Sequence, residues 1–389
     1  MAFKNTPFGQ IPENWELQKI KDCTNIVTDY VANGSFASLA ENVEYMDTED
    51  YAVLIRLVDY NKDFKGDFVF INEHAYNFLS KSKLFGGEII ISNVGANVGT
   101  VFKCPKLTYR MSLAPNAIMV DFKGNNDFFY YWLQSRYGQF MLRSLVTGSA
   151  QPKFNKTNFR DMMIPVPPIE IQNKIVSIIK PIDEKIKNNR EINDNLEQQA
   201  FSLFDSMFSG EIIGNHTIGE HLTPKRGKNL LSKDAINGSV PVVAGGLGPS
   251  TYHNVANTSA PVITISASGA NAGYVNLWHI PVWSSDSSFI DKSISESIYF
   301  WYSMLKKRQK EIFDSQTGSA QPHIYPQHIA NMPIGNISGE SIRKYNSFVE
   351  VLFNKIGANN QENDRLAKMR DALLPKLMSG EIDVSEIRI

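Results

Sequence analysis

The chain has 389 residues, 42% of them hydrophobic, and a formal net charge of −1, which is enough apolar material for more than one core and leads us to expect two or more domains. No segment is a basic tail, so a nucleic-acid surface has to be a local face. Two cysteines, Cys23 and Cys104, exclude a disulfide framework or a CxxC zinc site and point to a reduced, cytoplasmic setting. The N-terminal segment has no apolar signal core, and no run of about 18 apolar residues exists to span a bilayer.

Residues 1–152 read as a mixed α/β domain. Tyr51–Ile55, Asp67–Ile71 and Glu88–Ser92 are β-branched or aromatic runs bounded by Gly, Asn and Asp, the pattern of short strands. Phe128–Leu142 has helical apolar spacing. The hexapeptide TGSAQP follows at Thr147–Pro152 and returns unchanged at Thr317–Pro322. Carried forward in the same register, Met207-Phe-Ser-Gly-Glu-Ile212 falls on Leu377-Met-Ser-Gly-Glu-Ile382. A match sustained this far marks an internal duplication of one structural unit.

Residues 153–212 form the first spacer. Ile164-Pro-Val-Pro-Pro-Ile169 is too proline-rich for a helix interior and reads as an extended lead-in, with Pro168 near the first helical turn. From Glu170 to Phe208 the apolar residues step by threes and fours, from Ile171 through Ile175, Ile178, Ile182, Ile186, Leu196, Ala200 and Leu203 to Met207. Pro181 is expected to kink this helix and Gly210 to stop it. At ~1.5 Å per residue the helix is a rod of roughly 58 Å.

Residues 213–322 repeat the first domain in outline. Pro261–Ser266 answers the Glu88 strand, and Gly269-Ala-Asn-Ala-Gly273 answers Gly95-Ala-Asn-Val-Gly99. Ile298–Tyr302 answers Phe129–Leu133. Residues 323–389 form the second spacer. Its helix, about Glu340–Met378, has Tyr345, Phe348, Leu352, Ile356, Leu366, Leu373 and Leu377 on its seam, and Pro375 should end or bend it.

Each long helix has an apolar seam that it cannot bury alone. The expected fold is α+β: two pseudo-symmetric globular domains held apart by an antiparallel, coiled-coil-like pair of long helices. Asn189, Asn193, Asn359 and Asn363 interrupt the two seams near their midpoints. Asn at such positions trades stability for register, and Asn189 and Asn359 are expected to meet there. Apolar residues off the seam, such as Ile179, Ile192 and Phe204, should remain on the outer faces for helices of a partner.

At this point the residues resemble the DNA specificity subunit of type I restriction-modification systems. The resemblance is carried by Ile11-Pro-Glu-Asn-Trp15, Gly148-Ser-Ala-Gln151, Ile164-Pro-Val-Pro-Pro-Ile169-Glu-Ile-Gln172, Ile182-Asp-Glu-Lys-Ile186 and Leu373-Leu-Pro-Lys-Leu377-Met-Ser-Gly-Glu-Ile382. Ser338-Gly339-Glu-Ser341 departs from the Pro-Pro-Ile-Glu lead-in of the first copy. The resemblance implies two target-recognition domains, each reading one half of a bipartite duplex site. It also implies a subunit without catalysis or cofactor of its own. Such a subunit docks two adenine-N6 methyltransferase subunits and, through the complex, restriction subunits; S-adenosylmethionine, ATP and Mg belong to those partners.

The residues themselves agree in what they lack. Val166-Pro-Pro-Ile169 has the wrong ends for the [DNS]PP[YFW] motif of amino-methyltransferases. Gly227-Lys228 lacks the upstream Gly and following Ser or Thr of a phosphate loop. Gly245-Gly-Leu-Gly248 reads as a turn between strands, and His323 and His328 as ordinary polar residues. Candidate DNA contacts are Lys225, Arg226, Lys228 and Lys233 in the second domain and Lys62, Lys65, Lys103, Lys106 and Arg110 in the first, because cations hold backbone phosphates and read groove edges. Asn97, Asn271, Gln151 and Gln321 lie in duplicated motifs, and a motif shared by two domains that read different bases is expected to be architectural. Two other readings stand beside this one. The chain could be a free-standing DNA methyltransferase or nuclease with related recognition domains, or a coiled-coil interaction protein without DNA binding.

Overall fold

The computed structural model describes residues 2–208, 210, 213–318 and 321–387. Parts of two duplicated motifs, Ser209, Glu211 and Ile212 in the first spacer and Ser319-Ala320 in the second TGSAQP, lie outside the described residues. The chain forms two compact units: Met1–Glu184 together with Leu366–Ile389, and Lys185–Arg365. The second is continuous in sequence; the first is closed by the end of the chain.

The first unit opens with a hairpin of β1 (Phe3–Thr6) and β2 (Gly9–Pro12), and β3 (Glu16–Lys19) pairs with β12 (Met163–Val166). Four strands, β4 (Thr24–Asp29), β8 (Ile89–Ser92), β9 (Val101–Lys103) and β11 (Ala117–Phe122), make an antiparallel sheet in the order β4-β11-β8-β9. A second sheet has the order β6-β5-β10-β7, built from β5 (Ala52–Ile55), β6 (Val69–Ile71), β7 (Lys83–Leu84) and β10 (Arg110–Leu113), with β5 and β10 parallel. Every residue of β5 and of β8 is buried, which is why both read as unbroken apolar runs rather than alternating ones. Helices α1 (Phe36–Asn42), α2 (Leu57–Asn61) and α3 (Glu73–Phe78) lie in the connections around this second sheet.

The helix expected over Phe128–Leu142 is two helices, α4 (Asn126–Gln134) and α5 (Arg136–Ser144). Ser135 is extended at ψ 163° and its hydroxyl accepts from the Gly138 N–H, so it ends one helix and caps the next. Continuous apolar spacing hid the break. The short α6 (Lys156–Asp161) leads into β12.

The second unit repeats this plan. β13 (His216–Thr217) pairs with β21 (Pro333–Ile334) as β3 does with β12. The strands β14 (Lys225–Arg226), β17 (Val262–Ser266), β18 (Val275–Trp278) and β20 (Ser287–Ile290) form an antiparallel sheet in the order β14-β20-β17-β18. The other sheet is β16-β15-β19, from β15 (Val240–Val243), β16 (Pro249–His253) and β19 (Trp283–Ser284), again with its central pair parallel. Strand for strand, these orders match those of the first unit. Among the described residues the β1–β2 hairpin, α1, α2, α3 and β7 have no counterpart, and Gly245–Gly248 is the turn between β15 and β16 that α2 replaces in the first unit. Helices α8 (Ile298–Lys307) and α9 (Gln309–Asp314) answer α4 and α5, and α10 (Pro326–Ala330) answers α6.

Two long helices, α7 (Ile169–Phe208) and α11 (Gly339–Met378), have 40 residues each. The Ser338 hydroxyl accepts from the Ser341 N–H at 3.1 Å, so α11 gains a cap where the proline lead-in is missing. α7 continues through Pro181, and α11 continues through Pro375 to Met378 instead of ending there. In the first unit, α7 buries Ile175, Val176 and Ile179 in one core with Leu377, Met378 and Val384 from the end of the chain. In the second unit, Ala200, Phe204 and Phe208 of α7 meet Ile342, Tyr345, Val349 and Phe353 of α11. The Tyr345 hydroxyl donates to the Ala200 carbonyl at 2.9 Å and so ties the two helices together.

Two expectations about the helix faces need correction. Ile179 and Phe204 are fully buried, while Ile192 is exposed. Phe348, placed on the seam by its spacing, is 52% exposed, and Val351 one turn on is 68% exposed. Each helix packs against a β domain as well as against its companion, so its buried face is wider than a two-helix seam and takes in Ile179 and Phe204.

Asn189, Asn193 and Asn359 are buried and Asn363 is half-buried, but they do not pair as expected. Asn189 and Asn359 do not meet. Instead Asn189 Nδ2 donates to Asn363 Oδ1 at 2.9 Å and to Glu362 Oε2 at 2.8 Å, while Asn359 Nδ2 donates to Asn193 Oδ1 at 2.8 Å. Asn193 Nδ2 in turn donates to Asn360 Oδ1 at 2.9 Å. As numbers rise along α7 the partners fall along α11, so the helices run antiparallel here. The duplication relates Asn189 to Asn359 and Asn193 to Asn363. It therefore exchanges the two pairs, and the local dyad passes between them.

Candidate nucleic-acid interface

In each unit the duplicated loop and the duplicated turn form a single structure. The Gly95 N–H donates to the Pro152 carbonyl at 2.9 Å, and the Phe154 N–H to the Asn93 carbonyl at 3.0 Å. In the second unit Gly269 donates to Pro322 at 3.0 Å, and Ile324 to Ala267 at 2.9 Å. Gly95, Gly99, Gly269 and Gly273 all have φ between 83° and 100°, a left-handed backbone that explains why both loops begin and end on glycine. The same bonds recur in both units, so this loop-and-turn joint is a frame. Asn97 and Gln151 are exposed on it in the first unit, as is Gln321 in the second, while Asn271 is half-buried.

What differs lies beside the joint. In the first unit β11 pairs Ala117 with Ser92 and Ile118 with Asp29. In the second, β20 pairs Ser287 with Ser266 and Ser288 with Arg226. Asp29 and Arg226 therefore occupy one position of the frame. By the same register Asn93 corresponds to Ala267 and Asn116 to Asp286; the Asn93 N–H donates to the Asn116 carbonyl, and the Ala267 N–H to the Asp286 carbonyl, both at 3.1 Å. The local chemistry is inverted. Asp29 is held by Lys156 at 2.8 Å, whereas Arg226 is held by Asp286 at 2.5 Å. The sequence singles out Arg226 and passes over Asp29, Asn93 and Asn116, because a search for cations overlooks acceptors. Aligning the two GANxG loops residue by residue would have placed Asn93 opposite Ala267.

The other candidate cations are spread out. Lys62 and Lys65 are exposed on the loop after α2, and Lys106 is exposed with its stem against Gly86. The Arg110 guanidinium lies 4.4 Å from the centre of the Tyr51 ring. Lys225 donates to Ser293 Oγ at 3.2 Å. Lys228 is exposed, and its carbonyl accepts from Trp283 Nε1 at 2.8 Å; Lys233 is exposed on a short 3-10 turn. Lys225 and Arg226 form β14, and Lys228 follows it in the chain.

Lys103 is turned inward. It pairs with Asp127, which also meets Lys180 at 2.8 Å, and its ammonium lies 4.6 Å from the centre of the Tyr130 ring. Burial alone would raise the Asp127 pKa; hydrogen bonds from Lys103 and Lys180 outweigh it and hold the carboxyl below the ordinary range. A depressed carboxyl pKa contributes stability above its unfolded value, and that contribution is lost as pH falls through the folded value. Asp127→Asn is expected to destabilise the chain by about 1 kcal/mol at pH 7. In urea titrations the gap to the parent should close as pH falls below about 4; a gap that persists in acid would show that the ion pairs are not its source.

Burial pushes the Cys23 thiol up to about 11 and raises Cys104 as well, so both stay protonated and lack thiolate reactivity. Among the described residues no group of three or more His, Cys, Asp or Glu is placed to hold a metal ion, and no helix is long and apolar enough to cross a membrane.

The family model described as the type I restriction modification DNA specificity domain matches residues 12–198. The type I restriction enzyme MjaIX specificity subunit of Methanocaldococcus jannaschii is 24% identical over 99% of this chain and 97% of its own. The HindI specificity subunit of Haemophilus influenzae is 40% identical over 57 residues, 15% of this chain and 12% of its own. The crystal structure of the type I restriction-modification S subunit from M. genitalium superposes with a TM-score of 0.57 at 20% identity, covering 96% of this chain and 98% of that one, which supports the fold. Residues 12–198 thus match the type I restriction modification DNA specificity domain, and along nearly its whole length the chain is similar to specificity subunits of type I restriction enzymes.

Proposed function

We propose that this chain is the non-catalytic DNA-recognition subunit of a type I restriction-modification complex. Each unit reads one half of a bipartite duplex site, and the long helices, which contribute to both units, fix the spacing between the halves. Two methyltransferase subunits dock on the chain and restriction subunits join through the complex; S-adenosylmethionine, ATP and Mg are bound by those partners in the cytoplasm. Phe348 and Val351, exposed one turn apart on α11, are an apolar surface suited to a partner helix.

The observation that carries this reading is the pair of matched frames with inverted chemistry, Asp29 in one and Arg226 in the other. A duplicated scaffold with different polar groups at one position suits two modules that read different bases. Exchanging residues 213–316 for the matching stretch of a relative is expected to change one half of the recognised site and leave the other half and the spacer intact. Methylome sequencing of cells carrying each version reads out both halves together. Changes in both halves, or in the spacer, would overturn the two-module reading.

A further inference from the structure

In the first unit a cavity of about 480 Å³ opens between α1 and the frame residues Asp29, Asn93 and Asn116. Its walls are mainly apolar, with Leu39 and Val43 of α1 among them. Its rim carries two exposed aromatic rings, Phe36 (82% exposed) and Tyr45 (52%). Asn93 lines the cavity. Its Nδ2 is committed to the Phe154 carbonyl at 3.0 Å, but its Oδ1 is buried with no hydrogen-bond partner. A buried acceptor without a donor is unusual in a folded protein, and Asn93 lines a space large enough for a small planar group.

These features specify an occupant. The aromatic rim offers faces on which a flat ring can stack, and the apolar wall can enclose it. The single unpartnered acceptor calls for an N–H donor. Among the groups on duplex DNA, a nucleobase with an exocyclic amino group supplies both the ring and the donor. Adenine and cytosine present that donor on their major-groove edge. Among the described residues of the second unit α1 has no counterpart, Ala267 replaces Asn93, and the guanidinium of Arg226 replaces the carboxylate of Asp29.

We propose that the α1 cavity is a base-reading site of the first unit, taking an amino-bearing base of the target DNA swung out of its stack, with Asn93 Oδ1 as the acceptor. The proposal rests on the half-site reading above. Two exposed positions test it without disturbing the core: Ala40→Trp fills the cavity from its open side, and Phe36→Ala removes a stacking face. Each variant is assembled with its modification partner and selected against a library of randomised duplexes, alongside the 213–316 exchange.

The expected result is a loss of discrimination of about tenfold or more at one base pair in one half-site, with the other half unchanged. A 2-aminopurine placed next to that base pair should brighten on binding to the parent complex, as its stacking neighbour leaves, and stay quenched with Ala40→Trp. If both variants keep full discrimination while the exchange still alters one half-site, the cavity proposal falls and the two-module reading stands. If the exchange alters nothing, the two-module reading falls and the proposal with it. If Ala40→Trp loses its modification partner and keeps its sequence preference, the cavity seats protein and the proposal is overturned.

Discussion

Replacing Asn359 alone by Leu is expected to destabilise the second unit by about 1–3 kcal/mol, because Asn193 Oδ1 loses the donor it has at 2.8 Å. Replacing all four of Asn189, Asn193, Asn359 and Asn363 by Leu is expected to do the opposite. Asn189 and Asn359 are each 1% exposed and Asn193 is 9% exposed, so the quadruple variant exchanges polar burial for apolar burial. The buried Asn189 Oδ1, which has no partner, is removed in the same change. The polar groups left behind, Asn360 and Glu362, reach solvent. A cross-paired polar layer between antiparallel helices fixes register at a cost in stability. The quadruple variant should therefore melt higher but lose its preference for one half-site spacing, since a slip of one turn moves a helix by ~5.4 Å. Thermal melts and a series of sites with altered spacers measure both effects. A quadruple variant that melts lower and keeps its spacing would show that the layer contributes stability and not alignment.

Gly138→Ala is expected to cost the first unit about 3 kcal/mol or more. A Cβ there would lie 2.2 Å from the Trp132 carbonyl oxygen and 2.6 Å from the Leu133 Cα, contacts that only a shift of α5 relieves. Gly138 is the third residue of α5, and its N–H is the one that the Ser135 hydroxyl caps. The effect should be confined to the first unit. Denaturation followed through Trp15 and Trp132, with Trp278, Trp283 and Trp301 each replaced by Phe, isolates that unit's transition. A variant with an unchanged midpoint would mean that α5 settles elsewhere without loss.

These two sites show which parts of the fold were legible in the sequence. Asn189 and Asn359 were recognised as buried helix positions because periodicity reports which face a residue occupies. Their partners were misassigned because periodicity does not report the phase of one helix against another; an offset of four residues converts self-pairing into cross-pairing. The α4–α5 break was missed because Phe128–Leu142 keeps its apolar spacing across Ser135, and the signal lay in Ser135 and Gly138 instead. The duplicated loop and turn were legible as a frame, since glycines at fixed positions report a backbone requirement. The cavity under α1 was not. It depends on Asn93, Asn116 and Phe36, which are brought together only by the strand order β4-β11-β8 and by a helix with no equivalent in the second unit.

The division of the chain also bears on its synthesis. The second unit is one continuous segment, Lys185–Arg365, and can close once that segment has left the ribosome. The first unit is translated earlier but finished later. Its core includes Leu377, Met378 and Val384, and the Lys174 ammonium donates to the Ser385 carbonyl at 2.6 Å. A nascent chain therefore has most of its first unit, unable to close, waiting through the whole of the second. A message broken directly after codon 365 would yield a product whose second unit is whole and whose first unit lacks its seal.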